Sequence, residues 1–295
     1  MPFYKRYQYP IFILILLLAA ASRILHIDAE SLWVDEGFSY WAIRHDHMFT
    51  LLKNDVHPPL YFYMLRGWVG VAGISELALR YFSVIPSMLS VVAVYHTARE
   101  LERGRNIYPT PQPPRRRGDA LNRRRRSAGD TGYHESIVPT LAALMMALAD
   151  MENYVAQEAR MYTWHVLWVT TSMWAFLRWI RLNTPSPQPL SPLDRGEGLK
   201  RIGDAWIAQI VWVTTTLLLL FTQYVGLAAV SVQGLYALIF LRGRKRIEAI
   251  GALAVIGVIF GTWFVVIAGG QTENVGTGFN LPSTLESLWN FRDEW

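Results

Sequence analysis

The side chains able to do chemistry lie in two short stretches, a histidine between them and two isolated arginines. The first stretch, ESLWVDEGFSYW over residues 30–41, sets Asp35 and Glu36 side by side among aromatic residues. A carboxylate beside apolar rings can carry a raised pKa and take a proton from a hydroxyl group. The same pair also suits a solvated loop. The second stretch, ADMENYVAQEARMY over 149–162, holds Asp150, Glu158, Arg160 and Tyr162. In a helical turn Glu158 and Tyr162 would share a face. Arg160 has the planar fork that meets phosphate. The plainer reading is an interfacial Glu–Arg pair with a belt tyrosine. His57 opens HPPLY (57–61), where tandem prolines favour an extended chain. Arg23 and Arg80 stand near the ends of apolar runs. Snorkelling to the interface is their default role, and contact with a lipid phosphate the sharper one. The chain has no cysteine, which excludes disulfides, thiolate nucleophiles and cysteine-ligated zinc.

These residues must be positioned by membrane helices. The 295 residues are 52% hydrophobic and include 12 Trp and 14 Tyr, a composition that suits a bilayer and its aromatic belts. A span needs about 20 apolar residues. Seven stretches qualify as expected spans: Pro10–Leu25, Leu77–Ala98, Ile137–Val155, Met161–Ile180, Ala205–Phe221, Tyr224–Leu241 and Ala249–Ala268. The first also has the outline of a signal peptide, but its apolar core is long and further spans follow. Leu60–Ile74 carries Arg66 and has the length of an interfacial or re-entrant helix.

Charge decides how that stretch is placed. If it does not cross and the N-terminus is inside, 21 of the 28 lysines and arginines fall in cytoplasmic segments. If it crosses, every later loop flips and 19 of them land outside. The positive-inside rule favours the first arrangement. The expectation is an all-α polytopic protein of a cell (inner) membrane with a cytoplasmic N-terminus. Residues 26–76, the turn at 149–162 and the tail from Gln271 then share the extracytoplasmic face. The net charge of +5 is read as loop asymmetry and not as nucleic-acid binding. Residues 103–135 and 183–201, rich in Pro, Arg, Ser and Gly, are expected to be disordered cytoplasmic insertions.

In order, LWVDEGFSYW, HPPLYFYMLRGW, SELALRYFSVIPSMLSVVAVYHTARELERG and QEARMYTW resemble the membrane glycosyltransferases of the GT-C fold. The nearest type is the bacterial branch related to protein O-mannosyltransferases and aminoarabinose transferases. The resemblance covers most of residues 10–270 outside the two insertions. It implies a seven-helix transmembrane module over 1–270 with juxtamembrane helices in the first outer loop. It also implies a polyprenyl-phosphate sugar donor and a glycan, lipid or protein acceptor. Asp35 matches the catalytic acid/base position and Glu36 its neighbour. His57, Glu158, Arg160 and Tyr162 match donor-binding positions, and Arg80 is a further candidate. An inverting transfer needs one base and no covalent intermediate. The leaving phosphate needs cationic or metal stabilisation. A magnesium or manganese ion would find its oxygen ligands among Asp35, Asp150 and Glu158. Members of the family continue past a seventh span, so residues 271–295 read as the start of an outer loop. A catalytically incomplete fragment serving as a lipid-binding or partner module is the alternative.

Overall fold

The computed structural model describes residues 3–29, 31–53, 55, 57–107, 137–184 and 195–276, and every regular element among them is a helix. In chain order they are α1 (Phe3–Ile24), α2 (Val34–Arg44), α3 (Met48–Lys53), α4 (Leu60–Ala72) and α5 (Glu76–Ile107). There follow α6 (Val138–Ala147), α7 (Asp150–Ala156), α8 (Tyr162–Leu182), α9 (Arg195–Thr222), α10 (Gly226–Phe240) and α11 (Arg244–Gly276).

Among the described residues four helices are long and apolar enough to cross a membrane: Tyr7–Ile24, Glu76–Gly104, Lys200–Thr222 and Arg244–Ile267. The other three expected spans differ from a simple crossing, each for its own reason. Ile137–Val155 is broken into α6 and α7, because Leu148 and Ala149 leave helical geometry and Asp150 and Glu152 occupy the first turn of a new helix. Acidic side chains suit that position at the positive end of the helix dipole. α10 has 15 residues, about 22 Å at 1.5 Å each, against a hydrocarbon core of about 30 Å. α8 has sufficient length at 21 residues but is rich in Trp and Thr and carries His165, Arg178 and Arg181. It is the hub of the bundle, packed along α5 on one side and α9 on the other. Leu60–Ile74 forms the 13-residue α4, which ends at Gly73 with a positive φ of 84°.

Helix covers part of each expected insertion. α5 runs on to Ile107 and α9 begins at Arg195, so helix replaces part of 103–135 and of 183–201. The remainder, 108–135 and 185–194, lies outside the described residues, as does 277–295.

Two cores matter for positioning. The first gathers Tyr40, Ile43, Tyr61, Phe62, Leu79 and Phe82 with Ala159 and Met161, tying α2 and α4 to α5 and the turn before α8. The second packs Phe176, Trp179 and Trp212 where α8, α9, α10 and α11 meet. Pro86 adds a specific lock. It has no N–H, so the Phe82 carbonyl one turn earlier loses its helical partner. Trp164 of α8 supplies the missing donor, with Nε1 3.1 Å from that oxygen.

Candidate functional site

The site is built at one end of the bundle by making the ends of helices cap one another. α6 ends with carbonyls that lack intrahelical donors. Arg23, wholly buried at the end of α1, donates to two of them: Nη1 to Ala147 O at 3.1 Å and Nη2 to Met146 O at 3.2 Å. Its Nε reaches Ser87 Oγ at 2.7 Å, and Ser87 in turn donates to Glu152 at 2.7 Å. Gln157 returns the favour to α1, its Nε2 donating to the carbonyls of Ser22, Arg23 and Leu25. The turn 157–161 is thereby fixed against the start of the first loop.

Across that junction lies the acid pair. α2 starts at Val34, and Glu36 folds back so that Oε2 accepts the Trp33 N–H at 3.2 Å. Glu36 is 1% exposed and is held on both oxygens. Arg80 donates from Nε to Oε1 at 3.0 Å and from Nη2 to Oε2 at 2.9 Å. The Ala159 N–H donates to Oε1 at 2.8 Å. Arg80 also spends Nη1 on Ile27 O at 2.7 Å and Nη2 on Ser31 O at 3.3 Å. Arg23 and Arg80 therefore do not snorkel. Both turn inward, because each finds several carbonyl or carboxylate acceptors that offset its desolvation.

Asp35 is placed differently. Its carboxylate is 43% exposed and its Oδ2 lies 3.7 Å from Arg160 Nη2. Arg160 also donates to the Asp35 carbonyl at 3.2 Å and sits over the Tyr162 ring at 5.9 Å. The arginine is 4% exposed, and its buried Nε has no partner among the described residues. Glu158 is buried beside it. Burial pushes the Glu158 carboxyl up from its ordinary value, a bond from Tyr154 and the charge of Arg160 oppose that, and Glu36 and Asp35 add to it.

Six of the residues singled out in the sequence thus converge: Asp35, Glu36, Arg80, Glu158, Arg160 and Tyr162. Two stand apart. His57 Nδ1 lies 3.4 Å from Asp55 Oδ2, and Asp150 is exposed in the first turn of α7. Neither shares a hydrogen bond or ion pair with the cluster. Sequence reasoning missed Tyr61, Ser39, Gln157 and the Ala159 amide. Tyr61 is wholly buried, and its phenol lies beside Ser39 without a partner in hydrogen-bonding geometry. Burial raises its pKa well above the ordinary value, against the lowering pull of Arg160. The only signal for Tyr61 and Gln157 was their place inside HPPLY and QEARMY.

Magnesium or manganese would need several oxygen ligands directed at one point. Among the described residues no three Asp, Glu or His side chains converge in that way. Glu36 already has both oxygens committed to Arg80 and the Ala159 amide. The described residues do not bring together the oxygen ligands that a divalent ion needs, and the cationic charge facing Asp35 comes from Arg160.

No family model, curated protein or solved structure matches the chain. The class established by the fold is thus a protein whose described residues are all-helical, with four helices among them long and apolar enough to span a membrane and a buried acid–arginine cluster at one end of the bundle.

Proposed function

We propose that the chain is a membrane glycosyltransferase of the GT-C type, which moves a sugar from a polyprenyl-phosphate donor to a hydroxyl acceptor on the extracytoplasmic side. The observation that carries this reading is the half-exposed Asp35 carboxylate beside a buried Arg160 whose Nε is unpartnered among the described residues. The acceptor oxygen attacks the anomeric carbon while Asp35 takes its proton. The bond from that carbon to the lipid phosphate oxygen breaks, and the configuration inverts. Arg160 offsets the charge that develops on the departing phosphate. Glu36 holds Arg80 and the Ala159 amide, which keeps the two loops in register; it is a positioning residue.

The charge distribution supports the orientation. Along α5, Arg80 and Glu100 are 20 residues apart, about 30 Å. Around Glu100 stand Arg103, Arg178 and Arg181, within 2.6–3.7 Å. The acids of the first loop and the arginines of this far end are thus separated by about one hydrocarbon thickness.

The test uses the purified chain in detergent with a panel of radiolabelled polyprenyl-phosphate sugars, reading binding and transfer. Transfer that Asp35→Asn abolishes supports the enzyme. Absence of both binding and transfer with every donor sinks the proposal.

A further inference from the structure

Tyr61 occupies a place where a phenylalanine would pack as well. Its ring is wholly buried in the first core, edge-on to Phe62 at 5.4 Å between centroids and tilted against Phe82 at 5.8 Å. None of that packing needs a hydroxyl group. A phenol carried into a dry core costs free energy unless a polar neighbour receives it. The neighbour is Ser39: the phenol lies beside it and within electrostatic reach of Arg160. Ser39 is itself wholly buried, one turn after Asp35 on α2.

Two donors share the Asp35 main-chain carbonyl. Ser39 Oγ donates to it at 3.2 Å, and Arg160 Nη1 does so at 3.2 Å. Both bonds are long, since hydroxyl donors centre near about 2.8 Å and N–H donors near about 2.9 Å. Neither donor has the carbonyl to itself. A serine hydroxyl inside a helix can donate to the carbonyl one turn back or turn to another acceptor. The Tyr61 oxygen is the acceptor beside it.

We propose that Tyr61 is a positioning residue, whose phenol engages the Ser39 hydroxyl and so secures Arg160 on the Asp35 carbonyl. With Ser39 donating to Tyr61, the carbonyl is left to Arg160, and the guanidinium stays against the Asp35 carboxylate, 3.7 Å from Oδ2. Without the phenol, Ser39 falls back on the carbonyl and Arg160 loosens. The effect on turnover rests on the transfer reaction proposed above; the effect on Arg160 does not.

The full chain and its variants are purified in detergent and treated with phenylglyoxal. Mass spectrometry follows modification of Arg160, with the buried Arg23 and Arg80 read from the same digest. Tyr61→Phe keeps the ring and should speed modification of Arg160 about tenfold, the worth of one hydrogen bond from a charged donor, while Arg23 and Arg80 react as in the wild type. Ser39→Ala removes the competing donor and should slow modification of Arg160. The double variant should react like Ser39→Ala, because the phenol then has nothing to act on. Tyr63→Phe, on the exposed face of α4, should react like the wild type. In the transfer assay Tyr61→Phe should lower kcat about tenfold, and the added Ser39→Ala should restore it. Equal modification of Arg160 in the wild type and Tyr61→Phe overturns the proposal. Faster reaction at all three arginines, or additive effects in the double variant, also overturns it, since a merely structural phenol gives those results. Absence of transfer with every donor sinks the glycosyltransferase reading alone, and the chemistry at Arg160 still decides this one.

Discussion

Glu36 and Arg80 form a buried two-pronged ion pair, 3.0 and 2.9 Å, between residues 44 positions apart, with side chains 1% and 5% exposed. Removing one partner leaves the other charged in a dry site. Arg80→Ala should therefore cost about 3–5 kcal/mol of stability, and Glu36→Leu a similar amount. The double variant should cost less than the two single losses together. Thermal or denaturant unfolding of the four proteins gives the coupling, and strictly additive losses would contradict the pairing.

Asp35 and Glu36 are neighbours with opposite expected phenotypes. Asp35→Asn touches a half-exposed pair and should shift stability by no more than about 1 kcal/mol. If Asp35 is the base, sugar transfer should fall about 10²–10⁴-fold. Glu36→Gln should instead lower the unfolding temperature and reduce activity only through loss of fold. Activity and melting temperature measured on the same preparations separate the two roles. An unfolded Asp35→Asn chain would argue against the assignment.

Glu158 makes a pH prediction. Its carboxyl is raised in the folded protein, chiefly by burial. The folded state therefore holds the proton more tightly than the unfolded chain does. The stabilising contribution is full below the ordinary carboxyl pKa, about 4.3, and is lost as pH rises through the raised value. Melting temperature should fall over that window in the wild type. Glu158→Gln should flatten the slope, since the amide does not titrate. An unchanged slope in the variant places the titration elsewhere.

A polar network in the bundle interior should matter less than its burial suggests. Gln233 donates to Ser172 and accepts from Trp212 Nε1, both at 2.8 Å, and Ser172 meets Thr216 at 2.8 Å. Interhelical bonds of this kind in membrane proteins average about 0.6 kcal/mol and reach about 1.7. Gln233→Leu should fall in that range in an unfolding titration. A loss as large as that of Arg80→Ala would mean that the network, and not the ion pair, anchors the bundle.

Hydropathy in the sequence was enough to place long apolar helices at four of the seven expected spans and to keep Leu60–Ile74 short. Run length and apolar content are properties of a segment, so they can be read without neighbours. Broken or borderline segments resisted that reading. The interruption at Leu148–Ala149 has no glycine or proline to announce it, and it rests on Arg23, 124 positions away from Ala147, taking the freed carbonyl.

The sequence by itself determined which residue types stand beside apolar helices: Asp35 and Glu36 in one loop, Glu158, Arg160 and Tyr162 in another. Only the tertiary structure decided which of two adjacent acids is sealed in and which is left open. That choice depends on where Arg80 and the Ala159 amide arrive, from 44 and 123 positions away. Desolvation and pairing are set by those neighbours, and a carboxylate's own place in the chain carries no record of them.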